Sequence, residues 1–256
     1  MNNLQKSISK YYNAGLRYDG RKMGEVRSIT VEKGVSRNAE GSAKVTMGET
    51  VVFAGVKMAV EKPYTDTADQ GNLMVNAELT PLASPDFESG PPSDWAIEIS
   101  RVVDRTLREG HAVNLKKLCI TEGEAVWSVM VDIVPVNDAG NLIDAAALAA
   151  LAALEDAKYP ALEEGNKIDY HKHTDDVNLD NKPVMVTVYK IAGRLVVDPD
   201  YEEEKGKEGR VSIGVLSDGT ICAMQKGEDS PFSAGEISEA LKLAGETAKL
   251  YRKSLK

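Results

Sequence analysis

Ala145 to Leu154 reads Ala-Ala-Ala-Leu-Ala-Ala-Leu-Ala-Ala-Leu. A helix with this sequence is apolar on every side and carries almost no bulk beyond three leucines. It is therefore buried, and its small residues let neighbouring backbone come close. At ten residues the run is half of the roughly 20 that a bilayer crossing needs, so it reads as a core helix and not a membrane span. The turn Asn137-Asp138-Ala139-Gly140-Asn141 feeds it, which predicts a helix over Leu142 to Asp156.

What surrounds that helix is mostly strand. Ile29 to Lys33, Ser42 to Met47 and Thr50 to Val60 are β-branched and alternating, punctuated by Gly34, Gly41 and Gly48, and predict an antiparallel meander. Further strands are expected at Asn72 to Leu79, Glu124 to Pro135, Val184 to Ile191, Arg194 to Val197, Val211 to Leu216 and Thr220 to Met224. Ser217-Asp218-Gly219 forms the hairpin turn between the last two. Residues 1–15 suggest a short helix or arm ending at Gly15, and Ser233 with Glu236 makes a capping box for a closing helix at about 233–255. The strands-then-helix order recurs in two halves with a joint near Lys116 to Glu122. This predicts an α+β fold of two pseudo-symmetric halves with mixed or antiparallel sheets, and one domain over 1–256.

The first half also holds a Pro-rich loop and an amphipathic helix. The loop, Thr80 to Ser93, is too long for a plain connection and is expected to bind or cover something. Asp94 is positioned to cap a helix over Trp95 to Glu109 that stops at Gly110. Trp95, Ile99, Val102, Val103, Thr106 and Leu107 fall on one side of it. Arg101, Arg105 and Arg108 cluster within about 60° on the other.

Charge narrows the function classes. The chain's 31 Lys plus Arg against 40 Asp plus Glu give 31 − 40 = −9, which argues against wholesale electrostatic coating of nucleic acid. Locally the sign reverses: Arg101 to Lys117 holds five basic residues and two acidic ones, a net of +3. Arginines at i and i+4 sit about 6 Å apart, a spacing that suits neighbouring phosphates as well as it suits a solvated face. Cys119 and Cys222 form no C-x-x-C pair and read as reduced core residues of a cytoplasmic protein.

Other candidates are weaker. The turn before the buried helix is a place where anions often bind, but Asp138 and Asp144 flank it and no Lys, Arg, Ser or Thr lies between Asn137 and Ala153. A carboxylate about 5 Å from a phosphate repels it by roughly 3 kcal/mol per unit charge at an effective dielectric near 20. The acidic run Asp198 to Glu204 reads as a solvated hairpin loop in preference to a Mg²⁺ site, and His171-x-His173 with Asp175 and Asp176 as a polar segment in preference to a metal centre. No metal or other cofactor is expected. Ser84, Ser93 and Ser128 have no His in a nucleophile context, so a hydrolase triad is unsupported.

Taken in order, several segments resemble the RNase PH family: Arg17-Tyr-Asp-Gly-Arg21, Gly41-Ser-Ala43, Gly48-x-Thr50, Ile99-Ser-Arg-Val-Val-Asp-Arg-Thr-Leu-Arg108 and Val197-Asp-Pro-x-x-Glu-Glu203. Within it they are most similar to the non-catalytic ring subunits of the archaeal exosome. The resemblance implies hexameric rings, here a trimer of heterodimers with a catalytic RNase PH-like paralogue, topped by RNA-binding cap proteins and acting on single-stranded RNA.

It further implies that active relatives carry Gly-Thr-Arg or Gly-Ser-Arg where this chain has Gly140-Asn141-Leu142. They also carry a second aspartate near the position of Arg210, whereas Asp198 is retained. The expectation is a subunit with no catalytic residues that supports 3′-to-5′ phosphorolytic RNA degradation and binds RNA through Arg101, Arg105 and Arg108. The alternatives are a self-sufficient phosphate-dependent exoribonuclease and a pure scaffold.

Overall fold

The computed structural model describes residues 3–163 and 165–255. Met1, Asn2, Glu164 and Lys256 lie outside the described residues, so the expected arm is followed from Asn3, where α1 (Asn3–Asn13) begins. The first sheet contains β1 (Ile29–Lys33), β2 (Gly41–Met47), β3 (Thr50–Glu61), β4 (Asn72–Ala77), β5 (Cys119–Thr121) and β6 (Ala125–Asn137). Its strand order is β1-β2-β3-β6-β4, with β5 on the end of β6. All pairs are antiparallel except β4 with β6.

α2 (Asp94–Glu109) lies between β4 and β5 in the chain, and α3 (Leu142–Asp156) follows β6 and leads into a hairpin of β7 (Lys158–Glu163) and β8 (Lys167–Asp176). The second sheet, wholly antiparallel, has the order β10-β9-β11-β12 from β9 (Val184–Ile191), β10 (Arg194–Val197), β11 (Lys207–Val215) and β12 (Ile221–Gly227). A short α4 (Tyr201–Lys205) separates β10 from β11, and α5 (Ala234–Ser254) follows β12.

The Ala/Leu helix is the centre of this arrangement. Every residue of α3 from Leu142 to Leu154 is buried, and the helix packs on β2, β3 and β6 to one side and β9 to the other. Small side chains make that enclosure possible: a Cβ at Gly41 of β2 would lie 2.3 Å from the Ala153 carbonyl oxygen. Truncating any of Leu148, Leu151 or Leu154 would leave a cavity costing about 2–5 kcal/mol. α2 packs on β4, β12 and α3, and α5 on β9, β10 and β11. α1 buries Ile8 and Tyr12 against Tyr189, Ile191 and Val196. Among the described residues no helix is long and apolar enough to cross a membrane.

The α+β class with mixed sheets holds, but the joint between halves does not fall at Lys116 to Glu122. β6 follows that segment yet pairs with β3 and β4, so the first sheet is completed only after α2, by the strand that leads into α3. The β7–β8 hairpin, read from sequence as a polar segment, is a strand pair whose mostly exposed face hides the usual alternation. Ser93, not Asp94, caps α2, its side chain accepting from the Ala96 amide. The two cysteines are unpaired but half-buried, not core residues.

Candidate functional site

Two concave regions flank α2. The first is a groove of 610 Å³ between α2 and the strands β4 and β6, with Met74, Met130 and Asp132 below and Arg101, Arg105 and Arg108 at its side. The three arginines differ in freedom. Arg108 is fixed, its guanidinium donating to both carboxylate oxygens of Asp104, at 3.1 and 2.7 Å, and to the Leu73 carbonyl of β4. Arg105 is exposed and donates to Gln225 Oε1 on β12 at 3.0 Å. Arg101 is exposed and has no polar partner among the described residues.

The connector lysines are also engaged, Lys116 with Asp69 at 3.4 Å and Lys117 with Asp180 at 2.6 Å. The +3 segment thus contracts to two guanidiniums without a carboxylate partner, Arg101 and Arg105.

The second region, a cavity of 970 Å³, is walled by the Pro-rich loop and by Trp95, Asp138, Tyr201, Glu204 and Lys207. The turn that feeds α3 lies on its edge. The amides from Asp138 to Asn141 are all bonded: Asp138 N to Ala83 O at 2.9 Å, Ala139 N to Thr50 Oγ1 at 3.1 Å, Gly140 N to Asp138 Oδ1 at 3.0 Å, and Asn141 N to Glu204 Oε2 at 2.7 Å. The backbone donors from Asp138 to Asn141 are therefore all taken within the protein. Burial raises the carboxyls of both Asp138 and Glu204, against the opposing pull of turn amides and Lys207.

The turn is held equally firmly from behind. Gly140 has φ +94°, and a Cβ there would lie 2.6 Å from the Asp200 carbonyl carbon, so only glycine lets the turn meet the start of α4. Asn141 adopts a left-handed φ of 56°, which its short amide side chain tolerates. That side chain donates to Asp198 Oδ1 and Tyr251 Oη, each at 3.2 Å. Arg27 donates to the Ala139 and Gly140 carbonyls at 2.8 and 3.0 Å.

The acidic run is therefore not a solvated loop. Asp198 is fully buried and paired with Arg27 at 2.6 Å and Arg21 at 3.1 Å. Burial alone would raise its carboxyl, but the Arg27 guanidinium outweighs it and holds Asp198 below the ordinary range. Glu203 is equally buried, accepting from Arg17 Nε at 2.9 Å and from the Tyr18 amide at 2.9 Å. Asp200 and Glu203 form a capping box on α4, the one sequence signal that would have revealed this element.

Asp144 does not face the turn as expected. It is buried beneath it, accepting from the Thr187 amide at 3.1 Å and from Tyr251 Oη at 3.2 Å. The carboxylates that accept from the turn's backbone amides are Glu204 and Asp138. Arg210, read as standing where active relatives carry an acid, is buried on β11 beside Trp95 and Glu98.

The chain matches two family models, "3′ exoribonuclease family, domain 1" over residues 25–160 and "3′ exoribonuclease family, domain 2" over residues 181–247. The gap between them falls at the β7–β8 hairpin, where the topology also places the joint. Curated relatives include the exosome complex component Rrp42 of Methanothermobacter thermautotrophicus, 42% identical over 94% of this chain and 90% of that protein. Another is Rrp42 of Sulfurisphaera tokodaii, 44% identical over 98% and 93%. A solved structure described as the Archaeoglobus fulgidus exosome with RNA bound to the active site has a chain that superposes with a TM-score of 0.91 at 40% identity. The superposition covers 99% of this chain and 98% of that one. On these matches, and on a fold that shares their architecture throughout, the chain belongs to the RNase PH family of 3′ exoribonucleases.

Proposed function

We propose that this chain is a structural and RNA-positioning ring subunit of an archaeal-type exosome, without catalytic residues of its own. The whole chain acts as one RNase PH-type domain. It assembles with a catalytic RNase PH-like paralogue as a trimer of heterodimers beneath RNA-binding caps, and the partner supplies phosphate binding and acid catalysis for 3′-to-5′ phosphorolysis.

One observation carries the non-catalytic reading: the α3 turn has spent its amides internally, the last of them on Glu204. Asp198, the retained acid, is pinned by Arg27 and Arg21 and is in no position to serve a substrate. The same facts count against a self-sufficient exoribonuclease. Arg101 and Arg105 remain as the cations that would meet single-stranded RNA phosphates, and Arg108 supports them from its Asp104 pair. The Rrp42 relatives named as exosome components, over nearly their full length, support the assembly.

The deciding measurement is RNA trimming by the purified chain with inorganic phosphate, alone and with its ring partner. Release of nucleoside diphosphates only in the mixture is expected. Phosphate-dependent trimming by this chain alone would overturn the division of labour.

A further inference from the structure

Arg210 is among the largest fully enclosed side chains of the protein, with 2% of its surface exposed. It sits on β11 opposite Gly227 of β12, where a Cβ would lie 2.5 Å from its Cζ, so glycine alone leaves room for the guanidinium. From that seat it reaches the beginning of α2. Its Nη2 is 2.7 Å from Glu98 Oε2, and its guanidinium carbon is 4.9 Å from the Trp95 ring centre. Its Nε and Nη1 have no hydrogen-bond partner, and Glu228 approaches Nε only to 3.8 Å.

A buried cation with two unsatisfied nitrogens is an expensive way to fill space. An apolar side chain of similar volume usually serves stability as well or better, and what a buried charge adds is a defined geometry. Here the geometry concerns α2. Trp95 and Glu98 lie on its first turns, Arg101 follows Glu98 by three residues, and Arg105 is tied to Gln225 of the same β12 strand. The second sheet thus holds α2 at two points, both adjacent to the arginines that face the groove.

We infer that Arg210 is a positioning residue: through Glu98 and Trp95 it fixes the rotation of α2, and so the placement of Arg101 and Arg105 against an RNA backbone. The inference rests on the reading of those two arginines as phosphate contacts. Arg210→Met keeps the volume and the apolar contact with Trp95 but removes the ion pair. Glu98→Gln breaks the same pair from its partly exposed end and leaves Arg210 in place.

The experiment uses the assembled ring and measures single-stranded RNA affinity against salt, thermal stability and Trp fluorescence, with Arg101→Glu/Arg105→Glu as reference. Either single variant should leave assembly intact, shift the Trp emission and weaken RNA binding roughly tenfold. Arg210→Lys, which preserves the charge facing Glu98, should recover most of the affinity. If the reference variant loses RNA binding while Arg210→Met and Glu98→Gln bind as the wild type does, Arg210 is a packing residue and the inference is overturned. If the reference variant also binds normally, the reading of the arginines fails first. Should Arg210→Met not fold, Glu98→Gln decides alone.

Discussion

The amide of Asn141 donates to Glu204 Oε2 across 2.7 Å, joining the N-terminus of α3 to α4, 63 residues away in sequence. A helix N-terminus attracts an anion because its first amides lack partners and its dipole is positive there. In this chain the anion is a side chain of the same molecule.

Removing that side chain should free the amide. Glu204→Ala is expected to bind inorganic phosphate about tenfold to a hundredfold more tightly than the wild type, the worth of one hydrogen bond to a charged group. Lys207, whose ammonium is 3.8 Å from Glu204, would supply the counter-charge. Phosphate titration followed by ³¹P line broadening reads the difference, and equal affinities would show that the turn is closed for another reason. No trimming activity should appear, since Asn141 and Leu142 bring neither hydroxyl nor guanidinium.

The arginines of α2 should separate into two kinds. Arg101→Glu with Arg105→Glu removes two single-strand phosphate contacts and should lower the salt slope of RNA binding by the assembled ring by roughly 1.4 units. Arg108→Ala breaks the Asp104 pair and the bond to Leu73, so it should lower stability while the slope stays unchanged. A slope that moves equally for Arg108→Ala would put that residue on the RNA as well.

How much of this could be read from sequence follows from the range of the interaction involved. The α3 boundaries, Leu142 to Asp156, came out directly, because an all-round apolar pattern is local information. The packing face of α2 came out for the same reason. The roles of Asp198 and Glu203 did not. Five acidic residues within seven positions look solvated until Arg17, Arg21 and Arg27 arrive from about 170 to 190 residues away, and nothing near the acids announces those partners. The resemblance drew on the Arg17–Arg21 and Val197–Glu203 segments separately. The fold shows that they are two sides of one buried contact. The β7–β8 hairpin was missed because its outer face is charged, leaving too few apolar positions to show a period of two.

That buried contact should be among the more sensitive points of the fold. Arg17 and Glu203 are both fully enclosed. Arg17→Met strands a carboxylate and should cost about 3–5 kcal/mol in urea unfolding, a large share of the stability of an ordinary domain. Adding Glu203→Leu removes the stranded charge and should recover much of that loss. If the double variant is no more stable than the single one, the energy lies in packing rather than charge.

Asp144 gives the fold a pH dependence of known sign. Burial pushes its carboxyl up to about 7 from an ordinary 3.8, only partly opposed by the Thr187 amide and hydroxyl and the Asn141 side chain. The folded state therefore holds a proton there that the unfolded chain gives up near pH 4. This contribution to stability is complete below about pH 4, falls as pH rises and is gone above about pH 7. At 1.36 kcal/mol per unit the span is about 4 kcal/mol. Asp144→Asn keeps an acceptor for the Thr187 amide and Tyr251 but cannot ionise. It should match the wild type near pH 4 and exceed it by up to about 4 kcal/mol near pH 8, as measured by urea midpoints across that range. Other titrating groups are common to both proteins and cancel in the difference. Stability curves that run parallel from pH 4 to 8 would mean that Asp144 does not change its protonation state over this interval.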